Sequence, residues 1–541
     1  MATRRGTLAA WAALALLLPG CGLVGDDDEA APAQPTLPAA TALLRVATFD
    51  WPTCLNPLTC ADPAARWLVW EHVLPKLVEV DVDGAYVASP VLAGMPEVRV
   101  DDATGQQTIT YVLDPDARWH DGRPITSSDV TGTWMARQAT PGALTGGYEL
   151  ITAVDDRDPL VARVTLSQAF ADWPELFGGH DGYLLEADAL GGELDLTGRF
   201  EDELDFGAGP FAVGSVEDRA IVLEARQEHW AAGRQAAVDQ VRLEQLPLEA
   251  ADDLDAGVPG GVDLVVPPGG EPVESDRFGV VERRTTDVVG LFLDRRSPPL
   301  GSLAVRRAVE EAVDRRPLVE LLGAGDEADL LTCPGLLHGE RPCGDRAEEE
   351  VASAADAAAL LEADGWIRDP GGGRGRPGLP LLVPVSYDPM LDGAEAVAEA
   401  VRDALEPAGF GVVLQPTDAF TWWQGDRTGS TGIGVFAAPM GTAGRLAALH
   451  RCDLGGLGPL GWCEPATQDL VGALMATPRL EERRTIAQQL SQLVTTTASW
   501  LPVAQRTVAL MVDPERAEVP DVARLGSGPL GGLHRMARIE G

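Results

Sequence analysis

Cysteine, histidine and glycine are the residues here whose types and spacing could do chemistry. Of seven cysteines, Cys21 stands alone near the start. The other six fall in three close pairs, Cys54 with Cys60, Cys333 with Cys343, and Cys452 with Cys463. Six thiols can pair in many ways. Local pairing is favoured because each pair brackets a loop containing Pro or Gly. No pair has Cys-x-x-Cys spacing and the seven histidines are scattered, so disulfides read better than a metal site. Neither a metal nor another cofactor is expected. His120 beside Asp121 invites a catalytic reading, but the pair also sets up a turn at Gly122, before a helix capped by Thr126, Ser127 or Ser128. Gly207-Ala208-Gly209-Pro210 precedes a strand pattern, not a helix start, so it forms no phosphate cradle. The chain holds no G-x-S-x-G elbow, no H-E-x-x-H and no P-loop, so no enzyme is expected.

The elements that would position these residues follow from periodicity. Leu44 to Phe49 reads as an opening strand. Residues 107–113 alternate, with Ile109, Tyr111 and Leu113 on one face, and Leu160 to Leu166 reads as another strand. Val305, Val309 and Val313 recur at helical spacing, with Arg306, Arg307, Glu310 and Glu311 turned outward. Val397, Val401 and Leu405 mark a helix ended by Pro407 and Gly409, followed by a strand at Val412 to Leu414. Residues 347–363 and Leu480 to Val494 read as further helices, and Pro370 to Pro380 as a loop or long hairpin turn. The fold class is therefore α/β with more than one sheet.

The formal charge is −41, with 83 Asp and Glu against 42 Lys and Arg, and Lys76 is the only lysine. An acidic surface repels phosphate backbones, so no nucleic-acid partner is expected. The charge serves solubility, or also draws cationic ligands; both readings stand. Arg4 and Arg5, then the apolar run Leu8 to Leu18, outline a secretory signal over residues 1–20. Leu18-Pro19-Gly20-Cys21 resembles a lipobox, which makes Cys21 the lipidated N-terminus and anchors the protein to the outer face of the cell membrane; a soluble secreted form is the alternative. Residues 21–43 are acidic and then Ala/Pro-rich and read as a flexible tether.

Six blocks, in order, carry a resemblance to a known family. They are Leu55-Asn56-Pro57-Leu58; Glu71 to Trp134, with Trp119-His120-Asp121-Gly122 and Asp129-Val130; Gly207 to Phe211 with Ile221 to Trp230; Leu291 to Asp294 with Arg306, Ala308, Ala312, Asp314 and Arg315; Ala354 to Trp366; and Trp500 to Val503. Together they resemble the extracellular solute-binding proteins of family 5, which serve peptide, nickel and related importers. The resemblance implies a bilobal periplasmic-binding-protein-like fold of type II, large cluster, with two mixed-sheet lobes joined by two hinge strands. Lobe I would span 44–290, with an inserted subdomain at about 76–206, lobe II 291–504, and residues 505–541 would return to lobe I. The crossing strands are expected near 288–294 and 502–511.

The function so implied is capture of an oligopeptide or other small ligand by two-lobe closure, for an ABC permease and ATPase, by a monomer. A ligand sensor signalling through a partner, and a binding-deficient lipoprotein acting as an interaction factor, are the alternatives. Peptide-binding members commonly hold the ligand's ammonium with an acidic residue in lobe II. The corresponding stretch here, Val435 to Gly444, contains no Asp or Glu. Candidate cleft residues are Trp51 and Asn56 from lobe I, and Trp422, Trp423, Met440 and Arg445 from lobe II. The aromatics could stack on ligand and Arg445 could pair with a ligand carboxylate, against core packing and a solvated charge as the plainer readings.

Overall fold

The computed structural model describes residues 43–60, 62–143, 146–226, 228–323, 330–331, 352–417, 422, 432–450, 465–520 and 523–539. The expected signal, nearly all of the tether, Cys21, Cys333, Cys343, Cys452, Cys463 and Trp423 lie outside them. No helix among the described residues is long and apolar enough to cross a membrane.

The opening strand, Leu43–Thr48, lies in parallel between Gln240–Gln245 and Leu264–Val266. From there one mixed sheet of ten strands extends in both directions. On one side it continues through Gln240–Gln245 to the antiparallel strands Ala220–Ala225 and Phe211–Glu217. On the other it passes through Leu264–Val266, Trp500–Val512, Gly279–Leu293 and Ile433–Pro439 to Leu382–Tyr387 and Gly411–Pro416.

Gly279–Leu293 and Trp500–Val512 make the fold bilobal. They pair antiparallel from Gly279 opposite Val512 to Arg284 opposite Thr507, and resume only at Val288 opposite Gln505. A bulge of this kind bends a strand and increases its twist. On one side of the break these strands adjoin Leu264–Val266; on the other they adjoin Ile433–Pro439. One large core gathers Leu44, Ile109, Phe177, Leu243, Leu510 and Met536. A second gathers Val289, Val309, Val401, Val435 and Val503, and a third Phe292, Trp422, Phe436, Met440 and Leu490. Within the first lobe, Glu97–Val100, Gln107–Val112, Val161–Leu166 and Ile151–Asp158 form a separate antiparallel sheet.

The alternating face of Ile109, Tyr111 and Leu113 is buried, as its period requires. The helices Leu303–Ala312, Ala394–Leu405 and Leu480–Thr497 bury Val305 and Val309, Val397 and Val401, and Leu490. Two expectations are corrected. Arg306 is not turned outward: it is buried, and its guanidinium donates to the carbonyls of Leu300 and Thr497 at 2.7 and 2.8 Å. The helix expected from 347 runs from Ala354 to Ala363, because the Ser353 hydroxyl accepts from the Asp356 N–H and caps it there.

Candidate functional site

A cavity of about 430 Å³ is walled by both lobes. One wall begins with helix Ser127–Ala139, started by the Thr126 N–H donating to the Asp129 carboxylate at 2.7 Å. That start places Arg137 in the last turn, facing Tyr148. The Arg137 guanidinium lies 4.3 Å over the Tyr148 ring and donates to the Asp181 carbonyl at 3.2 Å. Arg137 is only 7% exposed, its Nε has no partner, and no carboxylate pairs with it among the described residues. Gly147 precedes Tyr148 at φ 99°, and a Cβ there would lie 2.3 Å from the Phe170 ring. Glycine is thus required by backbone and by space. The opposite wall is the turn from strand Ile433–Pro439 into helix Ala443–His450, which presents Thr442, Gly444 and Arg445, together with Met475. The Arg445 side chain has no ion-pair partner among the described residues.

Beside the cavity the lobes touch. The Asp172 carboxylate accepts from the N–H groups of Ala443 and Gly444 at 2.9 and 2.6 Å. It also faces Arg483 at 3.4 Å. The stretch from Val435 to Gly444, which lacks an acid, presents a helix N-terminus, and the Asp172 carboxylate of the first lobe closes it. Nothing local marked Asp172 or Arg137 for these positions. Asp172 reads as a loop residue before Trp173-Pro174, and Arg137 as a cation suited to a helix C-terminus.

The residues nominated from sequence are distributed unevenly. Arg445 lines the cavity. Trp422 and Met440 do not line it: both are fully buried in the third core, the Trp422 ring 4.9 Å from Phe436. Trp51 packs partly buried on the first-lobe core. Asn56 is buried: its amide donates to the carbonyls of Leu196 and Arg199 and its oxygen accepts from the Leu58 N–H. Cys54 and Cys60 form a disulfide, with Cα atoms 6.0 Å apart. The His120 backbone N–H donates to the Gly207 carbonyl at 2.8 Å, beside the turn closed by the Gly122 N–H on the Trp119 carbonyl at 3.0 Å, and burial lowers the His120 pKa to about 4.

A second charged cluster sits within the first lobe. Lys76 contacts Glu71 at 2.5 Å, Arg524 contacts Glu79 at 2.7 Å, and Tyr183 donates to Glu71 at 2.9 Å. Burial alone would raise the Glu71 pKa, but Lys76 and Arg524 outweigh it and hold it at about 2. The adjoining space is about 40 Å³, room for water and not for a solute.

Comparison with known proteins adds four findings. Residues 89–442 match the family model of bacterial extracellular solute-binding proteins, family 5 Middle. The oligopeptide-binding protein OppA of Mycobacterium tuberculosis is 24% identical over 449 residues, 74% of this chain and 72% of its own. The probable monoacyl phosphatidylinositol tetramannoside-binding protein LpqW of the same organism is 27% identical over 273 residues, 48% of this chain and 42% of its own. Among solved structures, the periplasmic EDTA-binding protein EppA superposes with a TM-score of 0.73 at 17% identity, covering 93% of this chain and 97% of that one.

Proposed function

This chain belongs to the bacterial extracellular solute-binding proteins of family 5, binding proteins and not enzymes, and from that premise we propose that it captures a short peptide or peptide-like acid between its lobes for an ABC permease and ATPase. One observation carries the choice of ligand. Arg137 and Arg445 line one cavity from opposite lobes, and neither has a carboxylate partner among the described residues. A guanidinium group can bind a ligand carboxylate through paired N–H donors, while Glu149, Asp172, Glu175 and Asp181 on the same lining suit the ammonium end of a peptide. A solute held by both arginines would favour the closed form, because it contacts both lobes. Tyr148 and Phe170 supply apolar surface beside the charge. About 430 Å³ falls within the roughly 300–1,000 Å³ usual for small-ligand sites. The name of the OppA relative supports a peptide as the ligand.

In this reading Arg445 makes direct contact, while Trp422 and Met440 serve the second-lobe core. Lobe I comprises residues 44–290 and 505–541, with the subdomain at 76–206, and lobe II residues 291–504; the separate cores of Leu44 to Met536 and Val289 to Ala504 support this division. The protein acts as a monomer, anchored outside the membrane by lipid on Cys21; the Leu18-Pro19-Gly20-Cys21 motif supports the anchor.

A thermal-shift panel of di- and tripeptides against their C-terminal amides tests the proposal. A free acid at a hundred times its Kd should stabilise the protein by about 2.7 kcal/mol. The matching amide should do far less, and Arg445→Gln should remove the difference. Equal shifts from acid and amide, or none from any peptide, would overturn it.

A further inference from the structure

Residues Ala171–Trp173 make a second and separate connection between the lobes. Ala171 is buried in the second-lobe core with Phe436, Met440 and Leu490, while Trp173 is buried in the first-lobe core. The Ala171 N–H donates to the Met475 carbonyl at 3.0 Å. The Trp173 indole N–H donates to the Pro478 carbonyl at 2.8 Å. Arg483, 1% exposed on helix Leu480–Thr497, donates to the Ala171 carbonyl at 2.6 Å and faces the Asp172 carboxylate. That carboxylate also closes the N-terminus of helix Ala443–His450, where the helix dipole favours an anion. We propose that Ala171–Trp173 is a latch that holds the two lobes together in the absence of solute, with Asp172 as its charged member.

The contact is built at both ends. Gly444 carries no Cβ, and one placed there would lie 2.8 Å from the Asp172 carboxylate oxygen. Alanine at 444 would suit its helix and still displace Asp172. Removing the Asp172 carboxylate leaves Arg483 a buried cation without its counter-charge in the closed form, so the lobes separate to let water reach it. The latch thus acts before capture: it raises the fraction of protein already in the ligand-ready form, which lowers the conformational cost of binding. It needs no bound molecule, so it stands or falls separately from whether the cavity takes a peptide.

Small-angle X-ray scattering of the ligand-free protein, with far-UV circular dichroism to verify the fold, tests this directly. The wild-type curve should fit the compact structure, and Asp172→Ala should raise the radius of gyration without loss of secondary structure. Gly444→Ala should do the same by displacement and decides the matter if Asp172→Ala does not fold. A folded variant as compact as the wild type would overturn the latch, as would a wild-type protein already more extended than the structure.

Discussion

Lys76, the only lysine of the chain, is buried against Glu71 and donates to the carbonyls of Gly179 and His180. Breaking a buried pair leaves the remaining charge without compensation. Arg524, 3.5 Å from Glu71, keeps part of the field, so Lys76→Ala should cost about 3 kcal/mol in urea denaturation. Titration adds a second effect with a definite sign. Burial lowers His72, His120 and His229 to about 4, below their ordinary 6.5. Their unfolded forms therefore bind protons first, and stability is lost as pH falls from about 6.5 toward 4. Glu71, held near 2 against an ordinary 4.5, adds a further loss as pH falls from about 4.5 toward 2. The melting temperature should be steady above pH 7 and fall in two overlapping stages below it. A melting temperature unchanged from pH 7 to pH 4 would refute the histidine assignment.

Among the elements, helix Ser127–Ala139 shows how much a local signal can specify. Thr126 and Asp129 form its capping box, and Asp129 also accepts from the Trp119 indole N–H at 3.2 Å and the Ala187 N–H at 2.8 Å. Asp129→Ala removes the cap and strands those donors, and should cost about 2 kcal/mol or more by denaturant unfolding. The start of this helix was legible to within two residues, as a cap at Thr126, Ser127 or Ser128, and the structure selects Thr126 through its capping box with Asp129. The burial of Arg306 was not legible, because its partners are set by packing against Thr497, 191 residues away. The bulge between Arg284 and Val288 was equally hidden: it depends on register with Gln505 and Thr507, and neither strand announces a mismatch alone.

At the scale of the molecule the chain closes on itself. Leu530, Leu533 and Met536 are fully buried in the same core as Leu44, and Arg524 bridges back to Glu71 and Glu79. Burying such side chains is worth on the order of 2 kcal/mol each. A chain ending at residue 512 should therefore fail to give folded protein by circular dichroism, although it retains both crossing strands. Folded, soluble protein from that truncation would show that the last segment is dispensable.

The bilobal fold was implied by the family resemblance of six ordered blocks; local pattern by itself determined the opening strand, the alternating strand of Ile109 and Tyr111, and the helices of Val309, Val401 and Leu490. Each of these is a short-range regularity of burial or hydrogen bonding, so it is written in consecutive residues. Tertiary structure alone decided which side chains meet at the cavity. Asp172 reaches Ala443 across 271 residues and Arg483 across 311. Arg137 and Arg445 come to one cavity from separate lobes. Meetings of that kind depend on how finished lobes pack, and no periodicity in the chain encodes them.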